Sequence, residues 1–329
     1  MPTTQLDRAH PAGPAAEPPR RPSVWRRVRA NGWSYAYLLP FAVLTGAFTV
    51  YPILASLGYT LYDWDGIGEP TDFVGLANFQ EVVADGYFWN SLANAALYTV
   101  VLVPVQLVLA LAMALVLNNP KLRGSTFYRA IYFLPAVTSI AIVGIVLKLM
   151  LANFGDALSA PLAGLGLIDQ PLQFLGDPDT VLWTVIAIGI WNTLGYNLIY
   201  FLAGLQTIPK DLYEAAQLDG AGRFARFVHV TVPGLRNVGV VIVFLAIIGS
   251  LQVFDLVMVL TGGGPFFASD VVNTYVYRQA FGQVGTGVVT EPDIGLASAA
   301  SFFFGLLLLV LTAGQMLAIK KLRARKERT

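Results

Sequence analysis

The chain has 329 residues, 56% of them hydrophobic and only 12% charged, with a mean hydropathy of +0.62 and a formal net charge of +1. Soluble domains carry about 25% charged residues, so this composition excludes an ordinary soluble class and points to a membrane protein. There is no cysteine, which excludes disulfides, thiolate nucleophiles and cysteine metal sites.

Residues 1–30 hold Pro2, Pro11, Pro14, Pro18, Pro19 and Pro22 among Ala and Arg, and read as a disordered basic tail. Beyond it, runs free of Asp, Glu, Lys and Arg cover 30–62, 86–120, 130–147, 180–209, 237–254 and 294–319. A membrane helix needs about 20 mostly apolar residues. Helices are therefore expected near 34–59, 93–117, 129–151, 181–205, 238–261 and 295–319. The first is too long for the apolar core of a signal peptide and reads as a retained anchor. The run 157–168, ALSAPLAGLGLI, is short and broken by Pro and Gly, and is expected at an interface rather than across the bilayer. The predicted fold class is all-α, a polytopic membrane protein with six transmembrane helices.

The basic residues set the orientation. Six lie in the N-terminal tail: Arg8, Arg20, Arg21, Arg26, Arg27 and Arg29. Loop 118–129 adds Lys121, Arg123 and Arg129, and segment 206–237 adds Lys210, Arg223, Arg226 and Arg236. The C-terminal tail, 320–329, adds Lys320, Lys321, Arg323, Arg325, Lys326 and Arg328. Only Lys148 and Arg278 lie elsewhere. The positive-inside rule then puts both termini in the cytoplasm. The tails also suit contact with anionic lipid, and membrane placement accounts for them without nucleic acid.

Within the spans, Asn192, Tyr196 and Tyr200 share one face of the fourth helix at i, i+4 and i+8, with Asn197 beside it. Gln252 and Asp255 belong to the fifth. Polar and ionisable groups in membrane helices usually face a bundle interior or a cavity, so Asn192, Tyr196, Asn197, Gln252 and Asp255 form a candidate substrate pathway. The competing reading makes the amides and hydroxyls interhelical hydrogen bonds. It makes Asp255 a helix-end carboxylate, wetted or paired with a group such as Lys148.

The most informative stretch is 209–233, PKDLYEAAQLDGAGRFARFVHVTVP. Pro209 suits a first helical turn, and Asp211 and Glu214 complement its dipole. Leu212, Ala215, Ala216 and Asp219 follow helical spacing, and Gly220 can end the helix in the left-handed conformation. A second short helix near 222–230 would align Phe224, Phe227 and Val228, and Pro233 would punctuate entry to the fifth span. Physically this is either a surface loop tying two spans together or a helix–turn–helix elbow with a partner.

EAAQLDGAGRFARFVHVTVP closely resembles the EAA signature of the permease subunits of binding-protein-dependent ABC importers. Glu214, Ala215, Ala216, Asp219, Gly220, Ala221, Phe227 and Pro233 stand at matching positions. FVGLANF at 73–79, FYRAIYFLP at 127–135, IWNTLGYNLIYFLAGLQTIP at 190–209 and FDLVMVLTGGGP at 254–265 resemble the carbohydrate branch, of the maltose or glycerol-phosphate type. Leu147-Lys148 departs from it, where relatives often carry a Trp. The resemblance implies a type I ABC importer permease fold, with a transmembrane core over 90–320 and a coupling elbow over 206–237. It implies a prokaryotic plasma membrane location. It also implies a second permease, an ATPase dimer that binds ATP and Mg, an extracytoplasmic solute-binding protein and a sugar or polyol substrate. No phosphate loop occurs in this chain, and His10 and His229 are its only histidines. No cofactor, metal site or catalytic residue is expected. The alternative is a secondary carrier that works without ATP.

Overall fold

The computed structural model describes residues 32–119, 121–165, 170–282 and 291–326. The expected tail at 1–30 lies outside them. Two compact units are present, divided between Ala55 and Ser56.

The first unit is helical. Helix α1, Gly32–Thr45, passes through a π-helical turn at Gly46–Val50 into α2, Tyr51–Tyr59. Tyr37, Phe41 and Phe48 are exposed, the pattern of a helix whose apolar side chains meet lipid.

The second unit begins at Ser56, in the last residues of α2, and continues into a short β-ribbon, β1 (Tyr62–Asp63) antiparallel to β2 (Asp72–Phe73). Helix α3, Ala77–Ala84, follows, and Asn78 donates to the carbonyls of Thr60 and Tyr62. Asp85 then caps α4, Gly86–Leu117, by accepting the Tyr87 amide at 2.8 Å. Helix α7, Pro178–Gln206, starts by the same logic, with Asp177 as cap and Pro178 in the first turn. These two helices pack along their length. A Cβ on Gly189 of α7 would strike the Tyr98 hydroxyl and come within 2.8 Å of Leu102 Cδ1 of α4, so only glycine allows this approach.

The third expected span, 129–151, is two helices. Helix α5 runs Ser125–Val137 and α6 runs Ile140–Gly164, with Thr138 extended between them. The end of α5 leaves its last-turn carbonyls without helical partners, and α7 takes two of them up. Asn192 donates to Pro135 O at 3.0 Å and Tyr196 to Ala136 O. Gly195 lets the helices close, since a Cβ there would lie 2.9 Å from Phe133 Cα. The segment 157–168 is no separate interfacial element. Its residues through Gly164 are the last turns of α6, and 166–169 fall outside the described residues.

After α7 comes α8, Lys210–Leu218, then α9, Arg223–Arg226, and a π-helical turn at Phe227–Thr231 leading into α10, Val232–Leu251. Pro233 does not punctuate the chain here. It lies inside a helix that is continuous from Arg223, and the π-helical turn at Phe227–Thr231 directly before it is where the hydrogen-bond ladder adjusts to its missing N–H. The break expected nowhere in the fifth span falls at Gln252–Phe254, before α11, Asp255–Leu260. Helix α12, Val272–Phe281, and α13, Ile294–Lys326, complete the unit. The expected tail at 320–329 is therefore helical to Lys326, and 327–329 lie outside the described residues.

Among the described residues, six helical stretches are long and apolar enough to cross a membrane: Ala36–Tyr59, Gly86–Leu117, Ile140–Gly164, Pro178–Gln206, Arg223–Leu260 and Ile294–Leu317. The apolar core of the second unit is built from α4, α7, α10 and α13, around residues such as Leu102, Leu198, Ile242 and Ala300.

Candidate functional site

The two helix breaks face one cavity of about 470 Å³. It is lined by Tyr98 and Gln106 of α4, Asn192, Thr193, Tyr196, Asn197 and Tyr200 of α7, Ile140 at the start of α6, and the 249–256 stretch around the second break. Asn192, Tyr196, Asn197, Gln252 and Asp255, far apart in sequence, thus come together on its wall. They are not equivalent. Asn192 and Tyr196 spend their donors on the broken end of α5. Asn197 donates to Gln106 Oε1 and to Thr193 O, both at 3.2 Å, and the Thr193 hydroxyl donates to the same Gln106 oxygen. Gln106 is almost fully buried between α4 and α7, so this polar pair of helices is satisfied internally.

Gln252 and Asp255 are exposed to the cavity, and neither makes a side-chain hydrogen bond among the described residues. Asp255 and Lys148 form no ion pair; the ion pair among the described residues joins Arg278 and Asp270. What the cavity offers a solute is therefore the amide oxygen of Asn192, the hydroxyls of Tyr196 and Tyr200, the Gln252 amide and a carboxylate.

The elbow is a second surface. Helix α8 closes with a Schellman pair: the Ala221 amide donates to Ala216 O at 2.9 Å and the Gly220 amide to Gln217 O at 3.1 Å. Gly220 has φ +79°, the left-handed value this closure requires. Glu214, Ala215, Asp219, Gly220 and Pro233 are exposed, while Ala216, Ala221 and Phe227 are half-buried. Leu212, Leu218 and Phe224 also stand in the open, Leu218 at 89% and Phe224 at 80% exposure. On its inner side α8 is tied to the α10 rod. The Tyr213 hydroxyl bonds the Thr231 hydroxyl at 3.0 Å, and Arg226 donates to Gln217 at 3.3 Å.

One cluster was missed by sequence reasoning. At the opposite end from the elbow, Arg278 and Asp270 pair at 2.8 Å, with side chains 3% and 0% exposed. The Thr274 hydroxyl donates to the same carboxylate at 2.6 Å. The guanidinium lies over the Phe267 ring, 4.3 Å from its centroid. Residues 270, 274 and 278 are i, i+4 and i+8, which was the available signal. Burial holds the Asp270 carboxyl above the usual range, although Arg278 and Thr274 pull it partway down. A Cβ on Gly263, which has φ +90°, would lie 2.7 Å from Asp270 Oδ1. The N-terminal turns of α4 hold this module. Tyr275 donates to Asp85 at 2.6 Å, Asn90 to Phe267 O and Asn94 to Asp270 O, each at 2.9 Å. Burial and the Asp85 carboxylate push the Tyr275 phenol up. Nearby, burial and then Asp293, Asp85 and Asp63 raise Glu81, and burial raises Asp293.

A bundle of membrane-crossing helices around a polar cavity, with an exposed helical elbow between two spans, defines a multi-pass membrane transport component. Residues 106–324 match the family described as binding-protein-dependent transport system inner membrane component, and the chain belongs to that family. It is 34% identical over 303 residues to the lactose transport system permease protein LacF of Rhizobium radiobacter, across 92% of this chain and 98% of that one. It is 33% identical over 278 residues to the trehalose/maltose transport system permease protein MalF of Thermococcus litoralis, across 84% and 90%. Its fold is similar to that of a chain in the crystal structure of a bacterial alginate ABC transporter in complex with alginate pentasaccharide-bound periplasmic protein. The TM-score there is 0.72 at 22% identity, over 89% of this chain and 95% of that one. The protein is a permease of a binding-protein-dependent importer.

Proposed function

We propose that this permease moves a neutral sugar or related polyol, delivered by an extracytoplasmic solute-binding protein, in an importer driven by ATP. The cavity carries the reading. It sits between two broken helices, where backbone that departs from helix is tolerated because it lines a cavity. It presents the Gln252 amide, the Tyr200 hydroxyl and the Asp255 carboxylate without side-chain partners among the described residues, beside the aromatic faces of Tyr196 and Tyr200. Relatives named for lactose and for trehalose or maltose support the same substrate class.

In this reading the chain has no ATPase site of its own. A second permease completes the pathway, and an ATPase dimer that holds ATP and Mg docks on the elbow through Glu214, Ala215, Ala216, Asp219, Gly220, Ala221, Phe227 and Pro233. The skew of basic residues toward the termini and the elbow supports a cytoplasmic location for them, in a prokaryotic plasma membrane. Alternating access then follows from rocking of the helices around the cavity.

Uptake of labelled lactose, trehalose and maltose by cells carrying the whole transport system tests this. Gln252→Leu is expected to lower uptake of the transported sugar at least tenfold while ATP hydrolysis persists. Gly220→Pro is expected to abolish uptake while the chain still inserts. Normal uptake by Gly220→Pro, or uptake by the chain alone on an ion gradient, would favour a secondary carrier and overturn the reading.

A further inference from the structure

Away from the polar cavity lies an apolar groove of about 860 Å³ between α4, α7, α10 and α13. Along α10 it runs from Val232 to Ile247, roughly 22 Å at 1.5 Å per residue. That exceeds the ~15 Å depth of one leaflet of hydrocarbon. Its walls are apolar, Leu107 and Phe201 among them, with two polar exceptions, Arg236 and Gln315. Gln315 falls in the last turn of the membrane-crossing stretch Ile294–Leu317, and Arg236 in the second turn of α10, so both sit toward the elbow end. Arg236 is exposed, and its side chain has no ion pair or hydrogen bond among the described residues. Gln315 Oε1 is buried without a hydrogen-bond partner. No carboxylate lines the groove.

We propose that this groove is a binding site for one anionic glycerophospholipid of the phosphatidylglycerol type, in the leaflet on the elbow side. An acyl chain fills the apolar length. The phosphodiester pairs with Arg236, the unmatched cation, and a glycerol hydroxyl donates to the stranded Gln315 oxygen. A zwitterionic phosphatidylethanolamine fits less well, because its ammonium finds no counter-charge and lies close to Arg236. The groove is a separate pocket from the polar cavity, so occupancy does not block the pathway.

The test uses the full chain in vesicles of phosphatidylethanolamine and phosphatidylglycerol, with trace amounts of either lipid carrying a photoactivatable acyl chain. Peptide mapping then reads the labelling of α10 and α13. Phosphatidylglycerol is expected to label these helices about fivefold more than phosphatidylethanolamine, the value of one basic contact near the membrane surface. Arg236→Gln should erase that preference, and Arg236→Lys should keep most of it. Gly239→Phe projects into the groove from a position where a Cβ meets no neighbour within 4 Å, and should cut labelling by both lipids several-fold. Equal labelling by the two lipids, or a preference that survives Arg236→Gln, overturns the proposal. So does a photo-crosslinker at Val243 that captures a polypeptide instead of lipid in native membranes. If Gly239→Phe does not fold, the two Arg236 variants still decide.

Discussion

Replacing Arg278 by Met strands the Asp270 carboxylate in a site where it is fully buried. Breaking one half of a buried ion pair typically costs about 3–5 kcal/mol. The structure also sets a ceiling. Asp270 can escape by taking a proton, and for a carboxyl with an ordinary value of about 3.9 that costs about 4 kcal/mol at pH 7 and about 1.5 kcal/mol at pH 5. Burial already holds Asp270 above the usual range in the intact pair. Losing Arg278 raises it further, so the folded form favours the proton more than the unfolded chain does. Stability is then lost as pH rises. The variant should fall by roughly 5–10 °C in thermal midpoint at pH 7 and recover most of that at pH 5, measured on purified protein in detergent. Asp270→Asn combined with Arg278→Met removes the stranded charge and should be more stable at pH 7 than Arg278→Met alone. A small loss at pH 7 with no pH dependence, or a double variant no better than the single one, refutes the reasoning.

Other outcomes follow from the same geometry. Asn192→Leu leaves the Pro135 carbonyl without its donor and should cost about 1–3 kcal/mol, read as a lower thermal midpoint. Gly195→Leu drives a side chain into Phe133 and Ala136, and should abolish folded protein on size-exclusion chromatography. Gly220→Ala imposes a Cβ at φ +79°, with a cost of about 1–2 kcal/mol; faster protease cleavage within 215–225 reads it. Glu81→Gln removes a carboxylate disfavoured first by burial and then by repulsion from Asp293, Asp85 and Asp63. Because Glu81 sits above its ordinary value, the gain in thermal midpoint should be larger at pH 8 than at pH 5.

The charge-free runs around 86–120 and 180–209 carry α4 and α7 openly, but their starts, expected at 93 and 181, fall earlier, at Gly86 and Pro178, where Asp85 and Asp177 are the caps. Gly220 was equally readable, since φ > 0 at a helix end is a local demand. The breaks in the third and fifth spans were not readable. Membrane helices tolerate proline, so Pro135 alone announces nothing. The chain opens at Thr138 because Asn192 and Tyr196, 57 and 60 residues away from their partners, take the exposed carbonyls. That same event decides the site. Asn192, Tyr196 and Asn197, candidates for the pathway by their spacing, hold the fold with their donors, and line the cavity with what remains. The two readings of Asn192 and Tyr196 were never exclusive. Asp270 and Arg278 show the opposite limit: their spacing was visible, but burial depends on how Asp85, Asn90 and Asn94 grip the far loop.

The path between the elbow and the cavity is short in mechanical terms. From Arg223 to Leu251 the chain is helical without interruption, roughly 43 Å at 1.5 Å per residue. Its lower end is fixed to α8 by Tyr213 and Thr231, and its upper end stops at Gln252–Phe254 on the cavity wall. A packed helix transmits displacement as a rod rather than absorbing it. The chain yields where regular hydrogen bonding lapses, at the break itself. A push on α8 therefore arrives at residues that line the cavity, Gln252 and Asp255, and not along the apolar length between. Stiffening the break and loosening the rod should then have opposite structural signatures and the same functional one. Thr231→Val, which removes the hydroxyl that bonds Tyr213, would weaken the joint at the elbow while leaving the cavity intact. In the proposed importer it should lower uptake while sugar-stimulated labelling of a probe at position 252 is unchanged, and a parallel loss of both would place the defect in the cavity instead.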